Sequence, residues 1–484
     1  MECGKTNLTG LAKLERRIKC KLNNIRRRKG GCWQPAIGAL VFASASMAQV
    51  ERISTPIAGG EANHGSYQAA LSYDGSVVAF RSTADNLVAG DINQFPDVFV
   101  RDMVANTMER ANVDDMGDVI AASFYRGAYA PSISDDGQRV AFNNYTGYAD
   151  VWVRDRLANT TVKVFPLTGS STNNGDREAR QEADLSGNGQ FLAFHSIRNF
   201  QSSGPVEAQP KDDDGNSVHD VFWYDLQTTP TPPAERLSRP DFADSSSCVG
   251  DPAMDCPETN ADAYSASISD DGQRVAFYSF GSNLVVADTN DYEDVFVKFR
   301  FDGASEEGIA GPIVRVSVSS MGAEANDASK QPVISGDGNV VAFRSLASNL
   351  VAGDTNAQWD IFVHDLSTSM TTRVSVSSAG EQANHDSFSP SLSADGRYVV
   401  FRSNASNLVA NDDNQRHDIF VHDRQTGQTA IVSEPGTGNS ADGHSYEPTI
   451  SGDGNWIAFE SDATNLVVDD TNSERDIFRA ANPL

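Results

Sequence analysis

The 484-residue sequence has few cysteines, no long apolar runs and, beyond its first 48 residues, little positive charge. Three of the five cysteines, Cys3, Cys20 and Cys32, fall within those first residues. Cys248 and Cys256 remain, close together in one polar loop. A local disulfide formed in an oxidising compartment is expected there, with a pair of free thiols as the alternative. No later stretch approaches the roughly 20 apolar residues that a bilayer span needs, so no membrane anchor is expected. The formal charge is −28, and residues 1–48 carry ten Lys/Arg against two Glu, so removing their +8 leaves −36 on the rest. A surface of that sign repels phosphate backbones, which sets nucleic acid aside as a partner and favours cations.

The basic N-terminus is followed by a short apolar core, "AIGALVFA", and by the small residues of "ASASMAQ". That order reads as an export segment cleaved after Ala48, giving a periplasmic or secreted chain of residues 49–484 folded as one domain. The stretch before Arg26 is long for a signal peptide, so a later start fits as well.

Internal repetition dominates the rest. "SYDGSVVAF", "SDDGQRVAF", "SGNGQFLAF", "SDDGQRVAF", "SGDGNVVAF", "SADGRYVVF" and "SGDGNWIAF" are seven copies of one unit, with turn glycines at 75, 137, 189, 272, 338, 396 and 454. Each copy reads as four short strands, as in "SPSLS", "RYVVFRS", "DIFVHD" and "TAIVS" of the sixth. The second strand is an unbroken apolar run, which implies burial on both faces. Phe80, Phe142, Phe194, Phe277, Phe343, Phe401 and Phe459 share one register in it and are expected in the core. Seven four-stranded units covered on both faces predict an all-β, seven-bladed β-propeller. The last copy lacks a fourth strand and the early segment "VERIS" (50–54) resembles one, so an N-terminal strand is expected to complete the last blade.

The consensus "SxDGxxVAFxSxAxNLVxxDTNxxxDIFVxD" resembles the TolB-like class of WD-type propeller repeats of exported bacterial proteins, over residues 50–479. The resemblance implies the propeller and export; repeats of this class serve many roles, so it does not fix a function.

Six units carry D-x-N-x3-D after the second strand: Asp91, Asn93, Asp97; Asp214, Asn216, Asp220; Asp288, Asn290, Asp294; Asp354, Asn356, Asp360; Asp412, Asn414, Asp418; and Asp470, Asn472, Asp476. Two readings stay open. Calcium takes six to eight oxygen ligands, which such side chains can supply with carbonyls and water; equally, Asp and Asn fold polar loops through bonds to nearby backbone. A second polar position, Asn63, Asn260, Asn326, Asn384 or Asp442, lies in the blade-entry loop of the five regular units, where contact between the two loops is expected. Units two and three have Tyr125 and Arg177 there.

No G-x-S-x-G elbow is present, and the histidines show no metal-ligand spacing; His64 with His385, and His364 with His422, are equivalent repeat positions. The expectation is a monomeric, non-catalytic scaffold that binds a protein or a cell-envelope polymer or glycan. The alternative is a propeller-fold polysaccharide lyase or hydrolase using a divalent metal, with His195, Arg198 and His219 as the residues to test.

Overall fold

The computed structural model describes residues 50–120, 127–145, 149–164, 183–196, 218–227, 234–240, 259–300, 311–435 and 440–484. Within them 28 strands form seven four-stranded antiparallel sheets, one per repeat. Blade one is built from β2 (Ser66–Leu71), β3 (Val77–Ser82), β4 (Asp97–Asp102) and β5 (Thr107–Arg110), and the later blades repeat this meander. The last blade consists of β26 (Ser445–Ile450), β27 (Trp456–Ser461), β28 (Asp476–Ala481) and the N-terminal strand β1 (Glu51–Arg52). Glu51 pairs with Arg479 and Arg52 with Phe478, so the early strand does close the ring.

The repeated phenylalanine explains how neighbouring sheets cohere. In six blades it faces a second phenylalanine across the two central strands, with Phe80 and Phe99 ring centres 5.9 Å apart and Phe343 and Phe362 6.1 Å apart. Blade two substitutes Trp152 opposite Phe142. Such pairs add about 0.5–1.5 kcal/mol to the stabilisation from burial alone. The flanking Val and Ala side chains are fully buried on the other face, so each sheet is core on both sides.

The turn glycines answer a steric demand. Gly396 has φ of 64°, and a Cβ there would lie 2.6 Å from Val340 of the preceding blade. Beside these turns a ring of backbone hydrogen bonds joins every blade to the next. Tyr73 N donates to Asp135 O (3.0 Å), Asp135 N to Gly187 O (2.8 Å), Asn188 N to Asp270 O (3.1 Å) and Asp270 N to Gly336 O (2.9 Å). Asp337 N to Ala394 O (3.0 Å), Ala394 N to Gly452 O (2.9 Å) and Asp453 N to Tyr73 O (2.9 Å) complete the circuit.

The innermost strands are bulged. Gln68, Ala130, Ser265, Gln331, Ser389 and Glu447, one in each of six blades, all have positive φ, and register shifts mark the same places. Non-glycine residues in that region carry backbone strain of about 1–3 kcal/mol each. Together with the residues around them they line a central cavity of about 990 Å³.

Candidate functional site

Two arrangements emerge, the Asp/Asn loops and one mouth of the central cavity. In blade five, Asp360 opens the third strand and is fully buried. Its Oδ1 accepts from Ser375 Oγ (2.6 Å), and its Oδ2 accepts from Asn356 Nδ2 (2.8 Å) and Arg373 Nη1 (3.2 Å). The same Arg373 nitrogen lies 3.1 Å from Asp354. A guanidinium from the outermost strand therefore stands between the two carboxylates of the motif.

The arrangement recurs with small changes. Arg110 lies 3.0 Å from Asp91 and 3.5 Å from Asp97. Arg315 lies 3.3 Å from Asp288 and 3.2 Å from Asp294, and also pairs with Glu324. These three acids are the set, among the described residues, that brings one oxygen apiece within 4.8 Å of the others. In the closing blade the cation is Arg52 of the N-terminal strand, 3.0 Å from Asp470 and 3.1 Å from Asp476. In blade three Arg236 lies 3.2 Å from Asp220; Asp214 and Asn216 lie outside the described residues.

Blade six breaks the pattern. Ile431 pairs with Phe420 where Arg373 pairs with Phe362 in blade five, so Asp412 and Asp418 face no guanidinium of their own blade. Burial, then the charges of Asp418 and Glu434, pushes the Asp412 carboxyl up to about 6. Asp91, Asp288 and Asp470 are also raised to about 6, chiefly by burial, although each has its arginine.

The motif asparagine stitches blades together. Asn356 Nδ2 donates to Ala383 O of the next blade's entry loop (2.9 Å), and Asn472 does the same to Ala62 O (3.0 Å). The blade-entry residues do contact the loop after the second strand, but at its beginning. Asn326 exchanges bonds with Ser348 (3.1 and 2.9 Å), and Asp442 bonds Thr464. Tyr125, Arg177, Arg198, Cys248 and Cys256 lie outside the described residues.

The cavity mouth departs from repetition. Immediately after each core phenylalanine, in one register opposite the start of the third strand, stand Arg81, Asn143, His195, Tyr278, Arg344, Arg402 and Glu460. Arg81 and Glu460 line the cavity, with Tyr67, Tyr129, Glu447 and Arg475 nearby. On one side, guanidiniums alternate with rings. Arg475 lies 4.0 Å from the Tyr446 ring centre and 5.6 Å from Tyr67, and Arg344 lies 4.5 Å from Trp359. On the other side the sequence-flagged His195 and His219 come together, ring centres 5.9 Å apart, with Tyr264 against both. Burial and the neighbouring His219 push His195 down to about 3, keeping the ring neutral. By contrast, the repeated His364 and His422 are bonded within the scaffold to Thr371 and Thr429, each at 2.9 Å. The Arg–aromatic rim was not singled out from sequence, although the variable residue after each invariant phenylalanine was a legible signal.

No protein-family model and no curated protein matches the chain significantly. Solved structures are similar to it in fold. An oligogalacturonate lyase from Vibrio parahaemolyticus aligns at TM-score 0.50 and 12% identity, over 90% of this chain and 94% of that one. The propeller domain of the Trilobed protease from Pyrococcus furiosus aligns at 0.48 and 11%, over 87% and 94%. TolB from Acinetobacter baumannii aligns at 0.37 and 13%, over 75% of this chain and 62% of that one, so the match spans less than two thirds of that protein. The chain is a closed seven-bladed β-propeller, the fold its seven repeats predict. At such identities the likeness extends to the fold alone.

Proposed function

We propose that this protein is an exported, non-catalytic binding scaffold whose ligand, an envelope polymer or a protein, seats at the loop-face mouth of the central channel. The observation that carries the reading is the contrast between an invariant core register and the differing residues next to it. Equivalent positions in seven repeats stay alike where they only pack, whereas the adjoining ring differs from blade to blade beside a 990 Å³ cavity. Binding sites are concave, with a few convergent polar groups.

The mature chain, residues 49–484, screened against arrayed envelope glycans and peptides, should retain a ligand without cleaving it. Ser391→Trp, which narrows the channel, should abolish that retention. Cleavage of a bound polysaccharide, lost on His195→Gln, would replace this reading with the lyase alternative.

The Asp/Asn loops serve this scaffold as arginine-bridged braces. Calcium in blades one, four, five and seven would have to displace a guanidinium 3.0–3.5 Å from the motif carboxylates. Only the Asp412/Asp418 pair, among the described copies with both acids, has no such competitor. Chelation should therefore leave the melting temperature unchanged. A Ca²⁺-selective rise that disappears in Asp412→Asn would instead place an ion in blade six.

A further inference from the structure

The rim of blades five to seven holds guanidiniums that the chain's own carboxylates leave largely unanswered. Arg344 lies over Phe388 at 5.4 Å from the ring centre and Arg402 over the same ring at 5.0 Å. Trp359 flanks Arg344, and Tyr446 flanks Arg402 at 5.5 Å. The Nε of each arginine is buried without a hydrogen-bond partner, as it also is in Arg52, Arg315 and Arg373, so what distinguishes the rim pair is its carboxylates. Among the described residues, Arg344 has no carboxylate within ion-pair distance, and Arg402 has only exposed Glu447, at 3.8 Å. Arg52 and Arg315, by comparison, meet three carboxylates each.

The chain has 66 acidic against 38 basic side chains, so acids were available to answer these groups. A half-buried charge with no carboxylate in direct contact is costly, and Arg344 is depressed below the ordinary guanidinium range by burial, with the Arg402 charge acting in the same direction and the more distant Asp386 and Glu447 offsetting it only in part. Packing against rings would be met by the aliphatic stem and one cationic face. Two forks held over one ring, with hydrogen-bonding capacity left over, exceed that need. Ser389 and Glu447, next in the chain to Phe388 and Tyr446, line the cavity, as does Arg81, which holds in blade one the register of Arg344 and Arg402, so the pair stands beside the channel mouth.

The geometry points to an oxyanion subsite in which Arg344 and Arg402, held over Phe388, grip a carboxylate or phosphate group of the ligand entering the channel mouth. Planar guanidiniums match both groups through paired N–H donors. The net negative charge elsewhere repels anions at long range, so capture depends on this local pair. The inference rests on the ligand-binding reading above.

The test is calorimetric titration of the mature chain with citrate, and separately with inorganic phosphate, at ionic strength matched with NaCl. Saturable binding of at least one is expected, weakened tenfold or more by Arg344→Gln and by Arg402→Gln and unchanged by Arg397→Gln, which alters a turn-side ion pair with Asp423. Binding of citrate alone assigns a carboxylate ligand; binding of phosphate alone assigns a phosphate. Arg344→Lys, which keeps charge and ring contact but not the fork, should lose affinity as well, and it carries the test if Arg344→Gln does not fold. Absence of binding above the NaCl control, or equal affinity in the rim variants, would overturn the subsite. If glycan or peptide retention persists while citrate and phosphate fail, only the subsite falls; if all fail, the channel-mouth reading falls with it.

Discussion

Asp360 shows how much one buried carboxylate is asked to do. It ends a loop, starts a strand and holds Ser375, Asn356 and Arg373, while Ser375 Oγ also receives Ile361 N at 3.0 Å. Removing the cation leaves Asp354 and Asp360 facing each other with little solvent. Arg373→Gln should therefore destabilise the fold by roughly 3 kcal/mol, the scale for breaking a buried ion pair from one side; urea denaturation of the variant measures it. A loss below about 1 kcal/mol would mean water or an ion takes the arginine's place. Phe343→Ala, which empties a fully buried position paired with Phe362, should cost about 3–5 kcal/mol in the same assay. The two residues were unequally legible. Phe343 was readable because its neighbours in sequence are apolar and the register repeats. Arg373 was not, because its partner Asp360 lies 13 residues away across a turn, and "TTRVS" by itself only marks a strand.

At the scale of the element, the loop and the outermost strand of a blade form one unit, and blade six tests it because Ile431 interrupts it. Asp412 titrates near 6 in the fold, against an ordinary aspartate value of about 3.9 when unfolded. The native state therefore holds a proton that the unfolded chain has lost, and the stabilisation this gives is present below about pH 4 and disappears as pH rises through 6. Asp412→Asn removes that dependence. Its melting temperature should exceed the wild type's at pH 7.5, and the gap should shrink at pH 4.5. Ile431→Arg should act in the same direction by supplying the missing guanidinium, and a gain independent of pH would refute the charge argument. The repeat made these loops visible in sequence as a metal grip or a folded turn. Weighing one against the other needs the side chain that arrives from the neighbouring strand, and strand pairing is not written in a local motif. The cavity rim was harder to see, since its members come from different blades and no spacing links them.

For the whole molecule, ring closure rests on a two-residue strand. Ile53 N donates to Ile477 O (2.8 Å), Ser54 Oγ to Asp476 (2.6 Å), and Arg52 neutralises Asp470, Asp476 and Glu61. Deleting residues 49–55 should lower the melting temperature and broaden the transition as the last blade frays. A synthetic peptide of residues 50–55 added in trans should restore part of the loss. An unchanged melt would show that the blades hold together without this clasp. The architecture was legible because seven copies constrain one another. The same redundancy concealed the cavity rim, whose residues differ from copy to copy.

The circuit of main-chain bonds beside the turns has a genealogical consequence. Its links run through Tyr73, Asp135, Gly187, Asp270, Gly336, Ala394 and Gly452, and although only peptide groups bond, the side chains there are matched in size: a Cβ on Gly187 would lie 2.5 Å from Asp135 and one on Gly452 2.4 Å from Tyr73. A duplicated or transplanted blade would meet its neighbours with the same handshake only where a glycine came to stand beside each bulky residue. Copies can thus be gained or exchanged with the main-chain pattern intact but with this one position retuned to its neighbours.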